Sequence, residues 1–207
     1  MIDSQTLFLF LSSALLLALS PGPDNLFVLA QSSQYGRWAG LVVTLGLCTG
    51  LVVHTLAVAF GLAALIRDSA PAFMALKTAG ALYLLYLAWQ AWHASIASGQ
   101  VEVQALPGKA LYLRGIIMNL TNPKVSLFFL AFLPQFADPR RGSMTLQFFE
   151  LGLLFILATL LVFGVLSFLA GGFGERFRRS PSVLRFVNRA ASVVFVALAL
   201  KLAFSER

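Results

Sequence analysis

The chain has 207 residues, 59% of them apolar and 13% aromatic against 11% charged, with a mean hydropathy of +0.85. That composition excludes an ordinary soluble domain and points to a membrane protein. The formal charge of +7 does not indicate a nucleic-acid binder, because Lys and Arg are spread over loops between apolar runs and form no long basic block. A single cysteine, Cys48, rules out an intrachain disulfide and a two-thiol redox carrier, and reads as a small packing residue.

Apolar runs long enough to cross a hydrocarbon core of about 30 Å lie at 7–30, 39–66, 72–92, 111–136, 146–173 and 184–204, which predicts six spanning helices. The chain starts Met1-Ile2-Asp3-Ser4-Gln5-Thr6, without positive charge, and a cut after Ser20 would put Pro21 beside the scissile bond. The first run therefore reads as a retained helix and not a cleaved signal. Its middle is Ser20-Pro21-Gly22-Pro23-Asp24. Proline removes a backbone donor and clashes with the preceding turn, and an aspartate near a span's centre costs about 2.5 to 3.5 kcal/mol on insertion scales.

In the second run Gly46, Gly50 and His54 recur every four residues and Gly61 follows, a small-residue stripe suited to close helix approach. His54 reads either as a hydrogen-bonded packing residue or as a proton relay. The third run contains Lys77, six residues after Pro71, which is expected to snorkel. Ala94 to Ala110, with Ser95, Ser98, Gly99, Pro107 and Gly108, separates the halves. The fourth run is interrupted at Asn122-Pro123-Lys124. Glu150, with Gln147 one turn earlier, reads as a headgroup-region residue opening the fifth run, and Arg176-Phe177-Arg178-Arg179 closes it as a topology signal with some lipid headgroup contact. Arg185 and Arg189 in the first turns of the sixth run must snorkel to the interface. Tyr35, Trp38, Trp89, Trp92 and Tyr112, near run ends, fit an interfacial belt.

Arg37, Lys109, Arg114, Arg176, Arg178, Arg179, Arg185 and Arg189 lie in or beside the first, third and fifth loops, while Arg67, Arg140, Arg141, Lys201 and Arg207 lie in the others and the termini. The positive-inside rule then places both termini outside.

The break recurs. Ala18 to Ala30 set against Asn119 to Ala131, without gaps, gives five identities in thirteen. Each break precedes a long glycine-containing run and then a shorter one, with Thr44-Leu45-Gly46-Leu47 resembling Glu150-Leu151-Gly152-Leu153. The chain thus reads as a three-helix repeat over 1–94, a cytoplasmic linker over 95–110 and a second three-helix repeat over 111–207. An odd number of spans per repeat makes the two inverted, and inverted repeats with matched interruptions are a pattern of secondary transporters with a midplane site.

The local chemistry fits a helix restart at each break. Asn122 then Pro123, and Ser20 then Pro21, read as N-cap followed by N1. Free amides at a restart attract a carboxylate, and carbonyls freed before it accept an ammonium, so a zwitterion matches both halves. Asp24 and Lys124 allow two readings. They form a structural ion pair, or Asp24 merely satisfies its helix dipole; alternatively Lys124 engages a substrate carboxylate and Asp24 its ammonium or a coupling proton.

Ser20 to Asp24 in the first helix, Gly80-Ala81-Leu82-Tyr83-Leu84-Leu85-Tyr86-Leu87 in the third, and Asn122 to Phe129 in the fourth resemble the lysine exporter superfamily (LysE/RhtB), and within it the homoserine and threonine resistance branch. The resemblance covers essentially the whole chain. It implies a six-helix exporter of amino acids or close derivatives in the bacterial inner membrane, driven by proton exchange, with site residues at Ser20, Pro21, Gly22, Pro23, Asp24, Asn122, Pro123 and Lys124. It also places His54 where many members have histidine, which makes Asp24 and His54 the candidates for proton coupling. The expected partners are a small zwitterionic amino acid, protons and the lipid bilayer, with no nucleic acid and no cofactor. GxxxG spacing at Gly36 and Gly40 or at Gly46 and Gly50 serves packing within the chain or in a homo-oligomer.

The alternatives are an exporter of another solute, such as a metal ion, and a non-transporting membrane scaffold. The two histidines, His54 and His93, form no metal-ligand cluster. No Ser, His and carboxylate set suggests an intramembrane hydrolase, so no catalytic residue is expected.

Overall fold

The computed structural model describes residues 2–20, 22–62, 70–93, 104–178 and 181–204, and these are mostly helical, without strands. In chain order the helices are α1 (Ser4–Leu19), α2 (Pro23–Tyr35), α3 (Arg37–Leu56), α4 (Ala70–His93), α5 (Gly108–Thr121), α6 (Pro123–Leu127), α7 (Met144–Arg178) and α8 (Pro181–Phe204). A π-helical turn, Ala57–Leu62, extends α3. Another, Phe128–Phe132, extends α6 and runs into a 3-10 turn, Leu133–Phe136.

Capping explains where the first helices begin and end. Asp3 caps α1 by accepting from the Thr6 amide at 2.9 Å. Ser20 ends α1 in extended geometry, as a residue before proline must. The same constraint acts at Gly22, which precedes Pro23, and Gly22 is fully extended at φ −168° and ψ 175°. Helix α2 therefore restarts with Gly22 as N-cap and Pro23 at N1, and not with Ser20 and Pro21 as expected. In the second half the expected pair holds, with Asn122 as N-cap and Pro123 at N1. Pro21 itself lies outside the described residues, as does the predicted linker as far as residue 103.

By length and composition, α3 with its π turn and α7 can each cross a membrane. Two broken pairs pass as single spans: α1 with α2, bent by 60°, and α5 with the segment Pro123–Phe136, bent by 51°. That makes two candidate spans among the described residues, or four with the bent pairs counted. Helices α4 and α8, 24 residues each, pack on one another. Helix α3 packs on α5, and α7 packs on α1, α2 and α3.

Two apolar clusters hold the bundle. In the larger, Phe10, Phe128, Phe132, Phe136, Phe148 and Phe155 tie α1 and the π turn after α6 to α7, with Phe10 edge-on to Phe136 at 5.1 Å and Phe128 5.2 Å from Phe155. The smaller one joins Phe27 and Val28 of α2 to Val43 and Leu47 of α3, Leu111 of α5, and Val162 and Phe163 of α7.

The glycine stripe acts within the chain. A Cβ at Gly46 would fall 3.0 Å from the Gly115 Cα, and one at Gly50 2.6 Å from the Asn119 Oδ1, so these glycines let α3 and α5 meet backbone to backbone. Lys77 departs from expectation. It is buried, because Lys77, Gly80, Ala81, Leu84 and Ala88 share the face of α4 turned toward the bundle. Arg189 is exposed with its guanidinium 5.5 Å from the Trp92 ring, and Glu150 is exposed.

Candidate functional site

The two helix breaks face each other, and their side chains cross between the halves. Lys124 is in the first turn of α6, where its charge opposes its own helix dipole. Its side chain instead reaches α1, where Nζ donates to the carbonyls of Ser20 at 3.0 Å and Leu17 at 3.2 Å. Those carbonyls are available because α1 ends there: the residue four beyond Leu17 is Pro21, which has no amide hydrogen to offer. The cation thus sits at the negative end of the α1 dipole.

Asp24 occupies the first turn of α2, at the positive end of that helix. Its Oδ2 accepts from Asn122 Nδ2 at 2.8 Å, while Asn122 Oδ1 accepts from the Lys124 amide at 3.0 Å. Asn25 donates through Nδ2 to the Ala18 carbonyl at 2.7 Å, which satisfies another carbonyl of the broken end. Gly22 makes room for the ammonium, since a Cβ there would stand 3.2 Å from Lys124 Nζ.

Four buried oxygens around this centre have no hydrogen-bond partner: Ser20 Oγ, Asp24 Oδ1, Asn25 Oδ1 and Asn119 Oδ1. Unmade hydrogen bonds of this kind cost about 1 to 3 kcal/mol each. Asp24 and Lys124 open on one small cavity lined also by Leu17, Leu47, Asn119, Val125, Phe155, Thr159 and Phe163. The centre of a water-sized sphere has about 20 Å³ in which to move there, enough for one water and far too little for an amino acid.

The sequence-predicted residues Ser20, Gly22, Asp24, Asn122 and Lys124 are brought together, with Pro23 and Pro123 as the first residues of the restarted helices. His54 is not among the cavity's lining. Its Nε2 lies 3.4 Å from the Asn119 carbonyl and its ring is 5.5 Å from Phe129, so it touches the site only through Asn119. Sequence reasoning missed Asn25, Asn119 and Thr159 as parts of the centre. The available signal was their polarity in apolar runs: Asn25 adjoins Asp24, and Asn119 lies one turn before Asn122. Among the described residues no group of three or more His, Cys, Asp or Glu is placed to hold a metal ion.

Broken apolar helices meeting at a buried polar centre define a multi-pass helical membrane protein. The chain belongs to the LysE type translocator family, whose model matches residues 15–206. It is 31% identical over 205 residues to an uncharacterized membrane protein of Vibrio cholerae, covering 99% of each chain. It is 34% identical over 196 residues to an uncharacterized membrane protein of Pseudomonas aeruginosa, covering 89% of this chain and 88% of that one. A leucine efflux protein of Klebsiella pneumoniae is 31% identical over 199 residues, with 94% of this chain and 92% of the relative covered. No solved structure matches the chain.

Proposed function

We propose that this translocator is a secondary active exporter of a small zwitterionic amino acid across the bacterial inner membrane. The observation that carries the reading is Lys124, whose ammonium occupies two carbonyls at the end of a helix of the other half. A substrate ammonium is chemically equivalent to it. On binding, the substrate's ammonium takes the Leu17 and Ser20 carbonyls with Asp24 and the unpartnered oxygens, and the displaced Lys124 turns to the substrate carboxylate. Leu17, Leu47, Val125, Phe155 and Phe163 around the cavity favour an aliphatic side chain. Among the homoserine-like, threonine-like and other small zwitterions expected, a leucine-like substrate fits best, and one relative is named a leucine efflux protein.

The transport cycle follows from the same parts. The chain is arranged as six spans in two inverted repeats, 1–94 and 111–207, with both termini periplasmic and the Arg37 end cytoplasmic. The packing supports this: α3 lies on α5, α7 lies on α1 and α2, and α4 lies on α8, so each half's broken helix meets the other half's long helix and the third spans pair. Rocking of the halves about the breaks exposes the site to either side. Protonation of Asp24, with His54 as the second candidate, competes with the substrate's ammonium and couples export to proton entry.

The test is efflux from proteoliposomes preloaded with labelled leucine, threonine or homoserine, with and without an imposed pH gradient, for wild type, Asp24→Asn and Lys124→Ala. Wild type is expected to release leucine fastest, and faster with the gradient, while both variants are inactive. Undiminished efflux by both variants overturns the site, and indifference to the gradient overturns proton coupling.

A further inference from the structure

A second buried polar group lies between α2, α3 and α7, toward the Arg37 end of the bundle. Gln31 and Ser32 of α2 and Ser167 of α7 are each 0% exposed. Gln31 Oε1, Ser32 Oγ and Ser167 Oγ have no hydrogen-bond partner, although Gln31 Nε2 donates to the Gln104 carbonyl at 3.3 Å. Gly40 of α3 brings the two serines together, since a Cβ there would lie 2.6 Å from Ser167 Oγ and would collide with Ser32 Oγ.

The two hydroxyls are unusual for this chain. A helical serine or threonine can donate to a carbonyl three or four residues back. Ser12, Ser13, Thr44, Thr49, Thr55 and Thr78 all do so. Ser32 and Ser167 decline that bond and remain unpartnered in the seam.

The spacing from the central cavity is regular. Along α2, Asp24, Val28 and Ser32 recur every four residues; along α7, Thr159, Phe163 and Ser167 do the same; along α3, Leu47, Val43 and Gly40 follow one face in the reverse direction. The middle member of each set, Val28, Val43 and Phe163, is buried in the smaller apolar cluster. Eight residues of helix rise about 12 Å. One polar centre is therefore separated from the other by a single apolar layer.

We propose that Gln31, Ser32 and Ser167, closing around Gly40, form a vestibular site on the cytoplasmic arm of the transport path, with Val28, Val43 and Phe163 as the gate between it and the central site. The assignment to the cytoplasmic arm rests on the exporter reading. The three oxygens carry no charge and accept hydrogen bonds, and the two hydroxyls also donate, so the site suits the ammonium of the zwitterion or water.

The test places single cysteines in a Cys48→Ala parent: Ser32→Cys, Ser167→Cys and, as control, Val165→Cys on the outward face of α7, where Val165 is 50% exposed at the bundle surface. Full-length variants in proteoliposomes are treated with a small cationic methanethiosulfonate. Ser32→Cys and Ser167→Cys are expected to react at least about tenfold faster than Val165→Cys, since the reagent needs a hydrated thiolate. Slowing by leucine assigns the site to the substrate ammonium, and reaction unaffected by leucine assigns it to water. Rates as slow as the control at both positions overturn the proposal.

Ser32→Ala/Ser167→Ala supplies a second measurement. It is expected to raise the KM for leucine severalfold without lowering the melting temperature, and an unchanged KM overturns the site as part of the path. If wild type exports no labelled amino acid while the cysteines still react, the exporter reading falls and the polar site stands. If wild type exports leucine while the cysteines stay inert, this inference alone falls.

Discussion

Asn122 joins the two broken helices with one side chain, its Nδ2 2.8 Å from Asp24 Oδ2 and its Oδ1 accepting from the Lys124 amide. The cap and the cross-bond separate by substitution. Asn122→Asp keeps an oxygen for the Lys124 amide but sets a second carboxylate against Asp24 where a donor stood. Leucine efflux is expected to fall about a hundredfold, the scale for losing one well-placed polar donor, and the opposed carboxylates are expected to lower the melting temperature as well. Asn122→Ala removes both bonds, and loss of the cap costs a further ~1 kcal/mol. Efflux and thermal unfolding in detergent, measured on both variants, check the order. Equal efflux by wild type and Asn122→Asp contradicts it.

Asp24 and Lys124 share the cavity, each held by the opposite half of the chain. The two make no direct ion pair, so their charges attract across the cavity, and neutralising one leaves the other buried without that attraction. Asp24→Asn and Lys124→Met are each expected to unfold at lower temperature than wild type, while the double variant recovers most of the loss. Transport is absent in all three. A double-mutant cycle on unfolding free energy reads the coupling, and strictly additive effects refute it.

Much of this centre is legible in the sequence because prolines write their effects directly into the chain. Pro123 after Asn122 announces a helix start, and Pro21 announces carbonyls without donors four residues back. The restart in the first half was misplaced at Ser20 because two prolines compete there. The constraint of Pro23 on Gly22 decides between them, and it acts on backbone angles that composition does not reveal. Which acceptor Lys124 finds was not legible. That depends on how two distant breaks pack, and the nearest obvious anion, Asp24, is satisfied by Asn122 instead. The burial of Lys77 and the π turns at Ala57–Leu62 and Phe128–Phe132 have no signal in the local sequence.

Outside the spans, Asp3 ties the start of α1 to the turn before α7. Its carboxylate accepts from the Thr6 amide and hydroxyl, each at 2.9 Å, and pairs with Arg141. The Thr6 amide bond first, then the Thr6 hydroxyl and Arg141, hold its pKa below the ordinary 3.8. A lowered folded-state pKa adds stability above the unfolded value, and that stability is lost as pH falls through the folded one. Acidification below about 3.8 is therefore expected to lower the melting temperature of wild type more than that of Asp3→Asn. Parallel melting curves from neutral pH downward make the comparison, and identical pH profiles count against the tie.

Helices α3 and α5 touch through glycine on both sides, which makes a methyl group at either position an instructive probe. A Cβ at Gly46 would strike the Tyr112 carbonyl and lie 3.0 Å from the Gly115 Cα, while one at Gly115 would strike the Val43 carbonyl and lie 3.1 Å from the Leu47 amide nitrogen. Backbone cannot rotate aside as a side chain can, so the helices must part, and overpacking of this kind costs about 1 to 3 kcal/mol. Parting α3 from α5 also shifts Asn119, which lines the cavity and lies against Gly50 one turn further along α3. Gly46→Ala and Gly115→Ala are accordingly expected to lower both melting temperature and efflux. Gly164 in α7 provides the contrast, because a Cβ there meets nothing within 4 Å, and replacing glycine by alanine inside a helix then stabilises by about 1 kcal/mol. Thermal unfolding of the three variants side by side settles the matter: Gly164→Ala should melt above wild type and the other two below it, and a Gly46→Ala protein as stable and active as wild type would show that the α3–α5 contact is not close-packed.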